Sequence, residues 1–214
     1  MASGYPDPET ADRELRLADS LNPGPWVGHS HHTGLACRYI AARHPGLDAD
    51  KAYALGVLHD IGRRVGIVST RHGLEGYRYA RSKGWDDVAK ICLTHSYALH
   101  HVESEIGAWD VSPEERAFMT RYIAAAEYDD YDRLLQLADC LALESGFCLL
   151  EKRLVDVARR YGVDEYTVAR WDAVFEIKQQ FEARMGCSIY ELLPGVQENS
   201  FHDLARWAPP AAAT

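Results

Sequence analysis

The chain has 214 residues and an acidic charge balance, with 32 Asp and Glu against 23 Lys and Arg, so its formal net charge at pH 7 is −9. That length suggests one domain, or one domain with a small appendage, at roughly 100–200 residues per domain. The negative charge argues against binding to nucleic acid or to anionic membranes. No segment approaches the roughly 20 apolar residues of a membrane span. Five cysteines without CxxC spacing are typical of a reduced cytosol, so we expect a cytoplasmic protein.

Helix signals follow one another along the chain, and no alternating pattern predicts a strand. Each predicted helix has an apolar face at helical spacing and a cap, glycine or proline near its ends. The predicted helices cover residues 10–20, 30–43, 49–60, 72–83, 86–99, 113–127, 131–145, 150–161 and 165–185. The clearest start is at Ser112, which is followed by a proline and two acids. The predicted fold class is therefore all-α, a helical bundle.

The domain boundaries follow from the same signals. Residues 1–20 are predicted to be an N-terminal segment that is flexible in part, and residues 196–214 a C-terminal tail. Between them, residues 21–195 form a single domain whose core is 22–150. Two prolines within residues 22–25 predict a helix stop there. The C-terminal helices either cap the bundle or form the interface of a homodimer.

Two helices carry a polar residue on a face that is otherwise apolar. Asp139 shares its stripe with Leu135 and Ala138, and His95 continues the face of Val88 and Ile91. A buried carboxylate without a cationic partner is costly. Taken singly, each residue also has a purely structural explanation. A salt bridge in the core explains Asp139 as well as a functional role does. A hydrogen bond in the core explains His95 better than a role as a ligand does.

The same anomaly recurs on three further helices. His59, followed directly by Asp60, ends an apolar face, while His29 and His72 stand at the starts of their helices. Several imidazoles and two carboxylates directed at one small core have a common explanation in a metal site between facing helices. Imidazole and carboxylate without thiolate suit Fe, Mn, Zn or Mg chemistry better than a structural zinc site.

The order of these residues resembles the signature of the HD-domain superfamily. His29, then His59 and Asp60, then Asp139 reproduce its H…HD…D series. The segment 58–62 reads Leu-His-Asp-Ile-Gly, which contains the HDIG form of the central motif. The resemblance implies an HD-domain helical bundle, with the metal site between facing helices. His31 and His32 lie close to the first histidine, and His32 is the alternative that could face the pocket.

His72 and His95 extend the series to H…HD…H…H…D, which resembles the binuclear subgroup, whose members include enzymes that split diadenosine polyphosphates. This resemblance covers about residues 22–150 and implies two divalent metal ions, such as Fe, Mn or Mg. Asp60 is the implied bridging ligand and catalytic residue, which orients a water molecule and accepts its proton. The implied metal ligands are His29, His59, Asp60, His72, His95 and Asp139.

The implied function is metal-dependent hydrolysis of a phosphoester or phosphoanhydride in a nucleotide or another small phosphorylated metabolite. Arg63 and Arg64 follow the HDIG motif, and both are candidate substrate-binding residues because a guanidinium matches phosphate geometry. Solvated surface charge is the alternative for each, and Arg71, Lys152 and Arg153 are weaker candidates.

Two other functions stay open at this point. A few binuclear HD proteins are diiron oxygenases that cleave C–C or C–P bonds with O₂, and iron selectivity with oxygen uptake would identify that chemistry. A non-catalytic regulatory HD module is the other alternative. The complete ligand set argues against the regulatory module, because buried polar groups without partners destabilise the fold and a module that binds no metal has no need of them.

Overall fold

The computed structural model describes residues 4–201 of the chain, and their architecture confirms the predicted all-α class. Three short 3₁₀ turns, at Ile61–Val65, Val102–Ser104 and Ile189–Glu191, connect some of the helices. Within the described residues the α-helices are α1 (Pro8–Leu21), α2 (Pro25–Ala41), α3 (Ala49–Leu58), α4 (Arg71–Ser82), α5 (Asp86–Thr94), α6 (Pro113–Ala125), α7 (Asp130–Asp139), α8 (Leu150–Tyr161), α9 (Thr167–Met185) and α10 (Val196–Phe201).

A small antiparallel hairpin follows α7 and corrects two expectations, a helix over 131–145 and a chain without strands. Its strands are β1 (Ala142–Leu143) and β2 (Gly146–Phe147). α7 ends at Asp139, and Gly146 takes a φ of 147°, which side-chain-bearing residues rarely adopt and which lets the chain reverse. Strands of two residues are too short to show an alternating pattern, so the sequence could not reveal them.

Two other helices differ from their predicted bounds by more than two residues. Pro25, read as part of a helix stop, instead lies in the first turn of α2, where its missing N–H costs no hydrogen bond. The helix predicted over 30–43 therefore begins five residues earlier. The helix predicted over 86–99 ends at Thr94, whose carbonyl accepts a hydrogen bond from the side chain of Gln136 (3.1 Å).

The close crossing of α2 and α3 organises the bundle. Gly34 of α2 and Gly56 of α3 face each other, and a Cβ on Gly56 would lie 2.7 Å from the Cα of Gly34. Side chains at these positions would force the helices apart. The crossing therefore places the start of α2 and the end of α3 side by side, with the two histidines that they carry.

The main core lies between α2, α3, α5 and α7, and α1 and α9 extend it. The faces predicted to be apolar are buried in it, as Ile91 and Leu135 show. α1 contributes Ala11 and Leu15. A second, smaller cluster lies where α6 covers α4 and α5; its buried members are Leu74, Leu93, Tyr97, Val102, Met119 and Ile123.

The ends of the chain are described only in part. Residues 1–3 of the predicted N-terminal segment and 202–214 of the predicted tail lie outside the described residues. Among residues 4–201, every helix is too short or too polar to cross a membrane.

Candidate metal centre

The adjacent pair His59 and Asp60 stands at the end of α3. His59 is the last residue with helical backbone angles, and Asp60 leads into the 3₁₀ turn at Ile61–Val65. Both side chains are buried, with 0% of His59 and 3% of Asp60 exposed. The change from α-helix to 3₁₀ turn directs both neighbouring side chains toward one centre, which a continuous helix would not do.

Four imidazoles share one hydrogen-bonding pattern. In each ring Nδ1 faces a backbone carbonyl oxygen, to which it donates, and Nε2 is directed at the centre. The same arrangement orients metal-binding histidines in general, because it fixes the tautomer that leaves the Nε2 lone pair free. The carbonyls belong to Ala142 for His29 (3.2 Å), Gly56 for His59 (2.7 Å), Ser69 for His72 and Ile91 for His95 (3.1 Å).

One group of ligand atoms surrounds the carboxylate of Asp139. Its Oδ1 lies 2.6 Å from Nε2 of His29 and 3.6 Å from Nε2 of His59. One ligand atom from each of these three residues falls within 4.8 Å of the others. A single cation could therefore contact all three side chains.

A second group surrounds the carboxylate of Asp60. Its Oδ1 lies 3.2 Å from Nε2 of His72 and 3.8 Å from Nε2 of His95, and these two nitrogens are 3.3 Å apart. Atoms of His59, Asp60 and His95 also lie within 4.8 Å of one another. His59 thus belongs to both groups, and the groups adjoin.

The arrangement leaves acceptor atoms facing acceptor atoms. An imidazole Nε2 lone pair and a carboxylate oxygen repel each other unless a proton or a cation lies between them. Nε2 of His59 and Oδ1 of Asp60 are fully buried and have no hydrogen-bond partner in the described part of the chain. Unpartnered buried polar atoms are costly, and divalent cations would satisfy them. The residues present therefore fit bound metal ions.

The charges of the centre suit cation binding as well. Burial alone would raise the pKa of Asp60, but the positive charge of Arg63 beside it holds the pKa well below its usual value. Burial would also raise the pKa of Asp139, but the adjoining imidazoles of His29 and His59 hold the pKa below its usual value. Burial lowers the pKa of His95 to about 3. At neutral pH the carboxylates are thus ionised and this imidazole is neutral, as metal binding requires.

The two predicted substrate arginines have different surroundings. Nε of Arg63 donates to Oδ2 of Asp60 at 2.5 Å, and its side chain also lines the cavity described below. The guanidinium of Arg64 instead lies over the ring of Tyr79, 3.9 Å from its centroid, and is not part of the cavity wall. Substrate binding by Arg64 therefore has no support from this geometry.

His32, the alternative to His29, points elsewhere. Its Nδ1 donates to the carbonyl of Gly28 (2.8 Å), and its ring packs against Phe147. The geometry favours His29, whose Nε2 reaches Asp139.

The centre lies in the wall of an open cavity of about 980 Å³. The hairpin, the loops at 67–70 and 105–107, and one face of α8 form other parts of the wall. The sequence made Arg153 only a weak candidate for substrate binding, and it predicted that this helix caps the bundle or forms a dimer interface rather than lining a cavity. The lining residues of α8 have the spacing i, i+3, i+4, i+7 and i+8, which places them on one face of a helix. That spacing could be seen in the sequence, but it does not show which part of the protein the face contacts. The lining residues of α8 are Arg153, Asp156, Val157, Arg160 and Tyr161.

The comparison with protein families agrees with this geometry. The model of the HD domain family matches residues 26–144, which is more than half of the chain. The chain therefore belongs to the HD domain family, which is a family of helical domains that bind divalent metals and typically hydrolyse phosphate compounds. No curated protein and no solved structure matches the chain. The matched span includes all six predicted metal ligands and ends before α8.

Proposed function

We propose that this protein is a metal-dependent phosphohydrolase that cleaves a phosphoester or phosphoanhydride bond in a small phosphorylated metabolite. The observation that carries the proposal is the convergence of four Nε2 atoms on two carboxylates, with acceptors facing acceptors, in the wall of an open cavity. Bound divalent ions would supply the charge that neutralises phosphate oxygens and activates water.

The proposed centre has two adjoining metal sites. Two observations support two sites rather than one. The side chains of each group lie close together, and Asp60 lies between Arg63 and two histidines. The proposed ligands are His29, His59, Asp60 and Asp139 for one ion, and His72 and His95, with Asp60 bridging, for the other.

Asp60 has the central role in this proposal. Arg63 holds Oδ2 of the carboxylate by a hydrogen bond, so Oδ1 remains directed at His72 and His95. A carboxylate fixed in this way can orient a water molecule and accept its proton. The guanidinium nitrogens of Arg63 that do not bind Asp60 are suited to a phosphate oxygen in the cavity.

The dimensions of the cavity favour a small-molecule substrate. Its volume of about 980 Å³ lies within the usual range for small-molecule sites, roughly 300–1,000 Å³. Together with the net charge of −9, this supports a phosphorylated metabolite rather than a nucleic-acid polymer as the substrate.

The test is phosphate release from a panel of phosphomonoesters and nucleotides by the protein as purified. We expect activity that a chelator abolishes and that Asp60→Asn lowers at least about 100-fold. Asp50→Asn, which removes a carboxylate from an exposed position (68% of the side chain is exposed), should keep wild-type activity. Substrate-dependent oxygen uptake without phosphate release would contradict the proposal and indicate an oxygenase.

A further inference from the structure

The face of α8 that lines the cavity lies outside the HD domain match, which ends at residue 144. The adjoining edge of the same helix anchors it, because Leu150 and Leu154 are buried in the main core. A helix held in this way presents its cavity face at a defined position. The substrate cavity is therefore built jointly by the HD domain and by a helix that follows it.

Arg153 is the residue of this face with the least satisfied side chain. Its side chain is 18% exposed, and Nε is buried with no hydrogen-bond partner in residues 4–201. Its contact with Asp156, from Nη1 to Oδ2, measures 3.7 Å and is too long for a hydrogen bond. A guanidinium has five N–H donors, and burying them without acceptors is costly.

The other arginines nearby are better satisfied. Arg63 is bound to Asp60 at 2.5 Å, and Arg160 is bound to Asp156 at 3.1 Å. Arg170, whose Nε is also unpartnered, makes hydrogen bonds through both terminal nitrogens, among them one to Asp164 at 2.9 Å. Arg153 thus differs from them in having donors available for a ligand.

Arg153 and the proposed metal ligand Asp139 line the same cavity. A cation beside a metal centre is repelled by the bound ions. An anion that contacts both the ions and the guanidinium removes that repulsion.

We propose that Arg153 binds an anionic oxygen of the substrate's phosphate group beside the metal centre, so that α8 supplies a substrate-recognition residue from outside the HD domain match. This inference rests on the proposed function only for the identity of the anion as a phosphate. Arg153 acts in binding and makes no bond to the reacting atoms.

The experiment measures binding of inorganic phosphate to the full-length, metal-containing protein by calorimetry. We expect Arg153→Gln to raise the dissociation constant of phosphate about tenfold, the usual effect of losing one charge-assisted hydrogen bond. Arg153→Lys keeps the charge and should recover part of the loss. Arg159→Gln makes the same change of charge on an exposed position of the same helix and should leave the constant unchanged.

Metal content and thermal unfolding are measured for each variant, so that loss of the centre is distinguished from loss of the anion contact. A dissociation constant for Arg153→Gln within twofold of wild type, with metal retained, would overturn the inference. So would a metal-containing wild type that binds no phosphate. If the protein hydrolyses no phosphoester yet binds phosphate in an Arg153-dependent manner, the proposed function fails and the role of Arg153 stands.

Discussion

Gly62, the glycine of the HDIG motif, stands where two backbone segments touch. A Cβ at this position would overlap the carbonyl oxygen of His72 and the amide nitrogen of Gly76. The 3₁₀ turn after Asp60 can therefore approach the start of α4 only if residue 62 lacks a side chain. This contact brings Nε2 of His72 to 3.2 Å from Oδ1 of Asp60.

Gly62→Ala should therefore disturb both stability and the proposed second metal site. We expect the free energy of unfolding to fall by about 1–3 kcal/mol, as for other overpacked sites, and metal content to fall toward one ion per chain. Denaturant unfolding and elemental analysis measure the two effects. Gly46→Ala, where the nearest atom would be 3.7 Å away, is the matched control. Wild-type stability and metal content in Gly62→Ala would contradict this role.

The sequence predicted the residues of the metal centre better than the arginines that surround it. His59 and Asp60 stood out because polar groups on an apolar face need an explanation, and their order with His29 and Asp139 carries the family signature. The use of Arg63 to hold Asp60 could not be predicted, since a guanidinium three residues away can equally face solvent. The place of Arg153 in the cavity wall depends on how α8 packs, which local sequence does not encode.

At the scale of elements, helical periodicity predicted the helices but not all of their ends. Local signals were sufficient where the cap is close in sequence, as in the capping box between Ser112 and Glu115 at the start of α6. They failed where a distant group ends the helix. Gln136 binds the carbonyl of Thr94 at the end of α5, and the pairing of β1 with β2 follows the end of α7. A sequence window of one helix contains neither partner.

A partly buried ion pair joins α1 to the end of α4. Glu14 is 8% exposed; it accepts hydrogen bonds from the hydroxyl of Tyr79 and from Nζ of Lys83. Burial alone would raise the pKa of Glu14, but these two hydrogen bonds outweigh it and lower the pKa below the ordinary value of 4.5. A lowered pKa means that the ionised form stabilises the fold. This contribution is complete above the unfolded-state pKa and is lost as the pH falls through the folded-state pKa.

We therefore expect Glu14→Gln to lower the free energy of unfolding by about 1–2 kcal/mol at pH 7. The difference from wild type should shrink as the pH falls below 4.5, because the wild-type carboxylate then becomes neutral as well. Urea unfolding at a series of pH values measures it, with Glu165→Gln, at an exposed position, as the control. A difference that persists unchanged in acid would show that packing, not charge, joins the two helices.

At the scale of the whole molecule, the fold brings together the six proposed metal ligands, which come from five helices and their ends. The glycine crossing of α2 and α3 brings His29 beside His59, and α7 adds Asp139 from a third direction. The buried acceptor atoms at the centre oppose folding unless a cation satisfies them. Metal binding and the stability of the bundle are therefore expected to be coupled.

The most direct test of this account is the metal content of each chain, determined by elemental analysis of protein purified without added metal or chelator. The account predicts about two equivalents of a divalent metal in the wild type, by analogy with two-metal hydrolytic sites. It also predicts a decrease toward one equivalent in His95→Ala, while His101→Ala, at an imidazole outside the cavity wall, keeps both. A wild-type protein that holds no metal and takes none up on titration would contradict the account.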